Sequence, residues 1–129
     1  MQTFSVKTSA RTQMIDIGRE VEEAIRAEGV SDGVALVFVP HTTAGVTINE
    51  NADPTVVRDI LMETEKIVPL QDGYHHGEGN SAAHIKSSLF GPSLMLIVKD
   101  GRPVLGTWQA IYFYEFDGPR NRKVHVAVK

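Results

Sequence analysis

The 129-residue sequence predicts a single α+β domain spanning residues 1–129, with a mixed, largely antiparallel sheet packed against about three helices. Two patterns lead there. Short runs of apolar–polar alternation are interleaved with stretches of helical apolar spacing, and hairpin turn signals dominate the last third. With 42% hydrophobic and 22% charged residues, the composition is that of an ordinary globular domain. A chain of this length can bury roughly two thirds of its unfolded surface around its own core.

Phe4 and Val6 alternate with Thr3, Ser5 and Lys7, which makes Gln2–Thr8 a half-exposed strand; Met14–Ile17 reads as a second. Ile17, Val21, Ala24 and Ile25 then share one helical stripe, with Gly29 as its stop. Gly33–Val39 is apolar at both alternating sets, so that strand should be covered on both faces. Pro40 ends it, and Val46–Ile48 is the next strand candidate. Asp53-Pro54 supplies an N-cap and a first helical residue, after which Val57, Ile60, Leu61, Ile67 and Val68 carry the stripe to Pro69. A further helix starts at Asn80 or Ser81. It places Ala82, Ile85 and Leu89 on one face and Ser81, His84 and Ser88 on another, and Gly91-Pro92 ends it. Leu94–Lys99 is a strand, Asp100-Gly101 a hairpin turn, and Val104–Gly106 the return. The segment from Gly106 to Phe116 is apolar on both faces; after Gly118-Pro119, Val124, Val126 and Val128 alternate in a last strand. The doubly apolar strands need more covering than three helices provide, which points to a subunit interface.

There is no cysteine, which excludes disulfides, thiol nucleophiles and cysteine-held metals. A net charge of −3 argues against a general nucleic-acid binder. The N-terminus lacks a basic-then-apolar leader and no apolar run is of bilayer length, so the expectation is a cytoplasmic protein that engages no membrane.

Chemistry concentrates in Tyr74–Ser88, where His75, His76 and His84 accompany Glu78, Asn80 and Lys86 at a helix start. Free backbone N–H groups and imidazoles together attract an anion, a metal or both. His41 borders a second polar segment that holds Glu50, Asp53 and Asp59. Asp53 has an adequate role as a cap, whereas Glu50 and Asp59 can act as general bases or metal ligands. Arg120-Asn121-Arg122 presents two forked guanidiniums suited to phosphate. Trp108 beside Gln109 can stack on a heteroaromatic ring or sit in a core or interface. His125, alternating with valines, reads as a bystander. No nucleophile elbow, Walker loop or dinucleotide fingerprint is present.

The run His41-Thr42-Thr43-Ala44-Gly45-Val46-Thr47-Ile48-Asn49-Glu50-Asn51 with Asp53-Pro54, then Tyr74-x-His76, A-A-H-I-K-S-S over residues 82–88, Gly106-Thr107-Trp108-Gln109 and Gly118-Pro119-Arg120-x-Arg122, resembles the YjbQ family, also called the secondary thiamine-phosphate synthase family. That resemblance implies a homotrimer with a weak ability to join a pyrimidine pyrophosphate to a thiazole phosphate. It places His41, Asn49, Glu50, His76, His84, Lys86, Trp108, Gln109 and Arg120 in one polar cluster, with His75 at a variable position. The expected roles are then as follows. His41, His76 and His84 hold a divalent metal ion, zinc or magnesium; Glu50, Asp59 and Lys86 serve the chemistry. Asn49, Ser88, Trp108, Gln109, Arg120 and Arg122 contact a small phosphorylated substrate. A metal-dependent hydrolase of a phosphorylated metabolite and a non-catalytic binding module are the alternatives.

Overall fold

The computed structural model describes residues 1–129, and its strands form two separate antiparallel sheets rather than one mixed sheet. In chain order the elements are β1 (Gln2–Lys7), β2 (Gln13–Asp16), α1 (Gly18–Glu28), β3 (Gly33–Phe38), β4 (Ala44–Glu50), α2 (Pro54–Ile67), α3 (Ser81–Phe90), β5 (Ser93–Lys99), β6 (Arg102–Pro103), β7 (Gln109–Glu115) and β8 (Asn121–Val128). Sheet A runs β1-β8-β3-β5-β6 and sheet B runs β2-β7-β4. Their inner faces share one core. Ala35 and Val37 of β3, Leu96 and Val98 of β5 and Val124 and Val126 of β8 meet Val46 of β4 and Ile111 and Phe113 of β7, with Val21 and Ile25 of α1 closing the cluster.

The helix signals act as their chemistry demands. The Asp53 carboxylate accepts from the Thr55 amide at 2.9 Å and from its hydroxyl at 2.7 Å, with Pro54 at the first helical position. Gly29 ends α1 in the left-handed conformation, φ 73°. Asp100 and Gly101 both have positive φ, as a two-residue hairpin turn with the strand twist requires. No helix is long and apolar enough to cross a membrane.

Two expectations about the strands are corrected. The return strand is Arg102–Pro103, not Val104–Gly106: after the rung Val98–Pro103 and one further bond from the Val104 amide to Ile97, the chain peels away. Gly106 N–H then donates to Gln109 Oε1 at 2.8 Å and closes a turn instead of extending the ladder. The second correction concerns β3. Only its Ala35–Val37 set is covered; Val34, Leu36 and Phe38 are 43, 43 and 39% exposed and share an open outer face with Met95 and Ile97 of β5. The chain places both sheet B and α1 on the inner side of sheet A, which leaves nothing for the other side. By contrast β7 is covered twice, as its pattern predicts: Ile111 and Phe113 enter the main core, while Tyr114 and Phe116 pack under Ala83, Phe90, Ile60 and Leu61 of the two later helices.

The end of α3 crosses β4 at very short range. A Cβ placed on Gly45 meets the Gly91 carbonyl oxygen at 2.7 Å, and the Val46 amide donates to that oxygen. Gly45→Ala should therefore destabilise by roughly 1–3 kcal/mol through a forced backbone shift, while Gly77→Ala, where a Cβ meets nothing within 4 Å, leaves the midpoint of urea unfolding near that of the parent.

Candidate functional site

Glu115 ends β7 fully buried, and Arg122 of β8 is buried against it. The carboxylate takes the guanidinium on both oxygens, Nε to Oε2 at 2.8 Å and Nη2 to Oε1. Thr8 donates to Oε2 at 3.0 Å, and the amides of Phe116 and Asp117 donate to Oε1. Arg122 Nη2 also donates to the carbonyl and hydroxyl of Thr43. Its charge is thus matched inside the protein, and Arg122, expected as a free phosphate ligand, is first a structural cation. Beside it, Asp117 accepts from Asn80 Nδ2 at 2.9 Å and from Arg120 Nη2 at 3.0 Å. Asn80 is the N-cap residue of α3, but with its Nδ2 turned to Asp117 its Oδ1, the atom that could cap the helix, is buried without a partner.

Helix α3 sits the other way round from its apolar pattern. Ala82, Ala83, Lys86 and Ser87 are buried, while Ile85 and Leu89 face outward. The close approach to β4 selects small side chains on that side, and Ser87 Oγ donates to the Ala44 carbonyl at 2.8 Å. Lys86, expected at the reaction centre, is 1% exposed and paired with Glu65 of α2, which also holds Arg11 at 2.9 Å. Partial burial alone would raise the Glu65 carboxyl; hydrogen bonds from Arg11 and Lys86 outweigh it and keep the group below its ordinary range. Lys86 is a staple between two helices.

This inverted seating turns His84 towards solvent beside the loop that carries His76. The two rings meet edge to face, centroids 5.4 Å apart. Three adjoining hollows have His84 in their walls. One, of about 530 Å³, is lined with Tyr74, His75, His76 and Ser81; a second, of about 360 Å³, with His76, Glu78, Asn80, Asp117 and Arg120; a third, of about 370 Å³, with His41, Thr42, Ser87 and Ser88. His84 thus joins His41 and Ser88 in one hollow and His76 in the other two, one of which the half-exposed Arg120 also lines. His41 Nε2 accepts the Lys123 amide at 2.9 Å. Burial, then the neighbouring Arg122 charge, lowers its pKa, so the ring is neutral. That lone pair is occupied, and no three histidine, aspartate or glutamate side chains converge closely enough to hold a metal ion. The side chains of one chain, as placed, do not fit the expected divalent ion.

The other expected residues lie elsewhere. Glu50 pairs with Gln109 and Asn49 with Ala110, at the far end of the ladder in which Ala44 pairs with Glu115. Six residues of strand put the two ends about 20 Å apart. Trp108, 61% exposed, stands at that far end and accepts the Asn51 amide through its carbonyl. Asp59 is exposed on α2 and lines none of the hollows around the imidazoles. Glu115 and Asp117 were not singled out from the sequence; the signal was there, since a lone carboxylate closing a wholly apolar strand must find a buried partner.

The UPF0047/YjbQ-like family model matches residues 2–129. The chain belongs to the YjbQ family. It is similar to the UPF0047 protein YugU of Bacillus subtilis, 51% identical over 127 residues that cover 98% of this chain and 96% of the relative. The UPF0047 protein MJ1081 of Methanocaldococcus jannaschii is 51% identical over 125 residues, covering 97% and 91%. Among solved structures, a YjbQ/UPF0047 family protein from Clostridium acetobutylicum superimposes with a TM-score of 0.97 at 56% identity over the whole of both chains. The conserved hypothetical protein TT1486 of Thermus thermophilus gives 0.92 at 41%, again over both whole chains. This two-sheet arrangement is the YjbQ fold.

Two stability outcomes follow from the staple. Glu65→Ala strands a buried ammonium and should cost about 3 kcal/mol in urea unfolding, whereas Lys86→Met should cost clearly less. The folded Glu65 value lies below its ordinary 4.5, so its contribution is complete above that value and disappears as pH falls through the lower folded one. Melting temperature should drop over this acidic window in the parent, and by less in Glu65→Gln.

Proposed function

We propose that the hollows around His84 bind a small phosphorylated molecule and that the chain is a metal-assisted transferase of phosphorylated heterocycles with weak thiamine-phosphate synthase activity. The observation that carries the reading is that His84 is shared between the hollow lined by His41 and the hollow lined by His76 and the Arg120 guanidinium. In that reaction the bond between the pyrimidine's methylene carbon and the pyrophosphate oxygen breaks, and the thiazole nitrogen supplies the electron pair of the new bond. No covalent enzyme nucleophile is required. What the chain must supply is neutralisation of the departing pyrophosphate and alignment of the two rings. Arg120 and imidazole N–H groups serve the first task. Metal assistance by zinc or magnesium belongs to the same reading, with ligands completed from outside the single chain.

The reading includes a cytoplasmic homotrimer. The open apolar face of sheet A supports self-association, and a neighbouring copy can bring its Asn49, Glu50, Trp108 and Gln109 to the imidazole end. Trp108 would then stack on one of the two heterocycles.

Purified protein incubated with the pyrimidine pyrophosphate and the thiazole phosphate should form thiamine phosphate, and His84→Ala should slow turnover by about a hundredfold or more. Turnover that survives intact in His41→Ala, His76→Ala and His84→Ala variants alike would end the assignment. Pyrophosphate release without the thiazole would shift it to hydrolysis. Prolonged chelation followed by metal analysis and re-addition tests the metal: activity that returns only with zinc or magnesium supports it.

A further inference from the structure

His41 is the imidazole whose surroundings fix the most. Val34 and Lys129 exchange both backbone hydrogen bonds, and in an antiparallel ladder every second rung is of this kind. The bonded rungs of the β3–β8 pair are therefore Leu36–Ala127 and Phe38–His125, and the next would set Pro40 opposite Lys123. But β3 stops at Phe38, and past it only the β5 side of the strand is continued, by the Val39 amide to the Pro92 carbonyl at 2.7 Å. The Lys123 N–H that a strand carbonyl would have taken is instead bonded by His41 Nε2 at 2.9 Å. An amide can only donate, so Nε2 carries the lone pair and the ring's single proton sits on Nδ1. The mount is firm. Thr43, two residues on, is held through its carbonyl by the Phe116 amide and through carbonyl and hydroxyl by Arg122. No protein acceptor takes the Nδ1 proton, and the ring lines the hollow shared with Thr42, His84 and Ser88.

We infer that His41 is a fixed-tautomer donor: its Nδ1–H binds an oxygen of a phosphoryl group in this hollow, and it serves neither as a base nor as a metal ligand. A base needs a free lone pair and a metal ligand needs one directed at the ion; the Lys123 amide removes both options. The ligand chemistry is that of an oxyanion acceptor, which a neutral N–H donor suits whatever organic group the phosphate carries. As to what occupies the hollow, this rests on the reading of the site as phosphate-binding.

The test uses the full chain and inorganic pyrophosphate, with chelator present. Nitrogen-15 NMR of the histidine side chains should show the His41 proton on Nδ1 and a bare Nε2. Asn carries its amide on Cγ, as the imidazole carries Nδ1, so His41→Asn should keep pyrophosphate affinity within a few-fold of the parent. His41→Ala should lose roughly tenfold to a hundredfold, the worth of one hydrogen bond to a charged group. A proton on Nε2 with pyrophosphate binding intact overturns the inference alone, as does a His41→Asn variant as weak as His41→Ala. A parent that shows the Nδ1 proton but binds no pyrophosphate, either with chelator or after zinc or magnesium is added back, overturns the phosphate reading, and the donor role with it.

Discussion

Glu115 and Arg122 would each be costly to bury alone, by several kcal/mol per ion, and the chain buries them together at the end of the β4–β7 ladder. The pair is tolerable because it is almost fully hydrogen-bonded: two backbone amides and the Thr8 hydroxyl join the guanidinium on the carboxylate, and Thr43 takes what the guanidinium has left. Beyond the Phe116 and Asp117 amides, which directly follow Glu115, those partners come from different parts of the chain. Strands of both sheets, the segment after β1 and the loop before β4 are therefore tied at a single point, and the turn that leads to Arg120 hangs from the same carboxylate.

The imidazole site is built on that knot. Thr43 anchors the loop that carries His41; Asp117, one residue past Phe116, holds Asn80 at the start of α3 and Arg120 across the hollow. His84 then follows from the rotation of α3, which the contact with β4 dictates. Little of the site depends on long flexible side chains. Its histidines are positioned by backbone that is itself pinned, as a binding constellation needs.

Much of this was legible in the sequence. Asp53-Pro54 and Asp100-Gly101 marked a helix start and a hairpin because each residue there does a local job. The doubly apolar run at 110–116 foretold a strand covered twice, since burial leaves no polar alternation. What failed depended on distant partners. Ala82, Ile85 and Leu89 imitate a buried stripe, but only the closeness of β4 decides that small residues go inward and that Lys86 goes with them. Val34, Leu36 and Phe38 look like core, and no local rule tells whether the same chain or another covers them. The motifs that join Glu50 and Trp108 with the histidines along the sequence say nothing about the length of strand between them. Glu115, closing an apolar run, calls for a buried partner, but nothing local says that the partner is an arginine seven residues on.

The order β1-β8-β3 has a bearing on how the molecule is made. Gln2 lies against Val126, and β8 is the single hydrogen-bonded neighbour of β1. On a ribosome β1 must wait for β8, the strand furthest from it in sequence, before it can dock, whereas α1 can form earlier. Closure across such separation is slow by comparison with helical bundles of the same size. Until it happens, β1 and the facing edge of β3 lack their partner, so the protein is most open to misassociation before β8 takes its place between them.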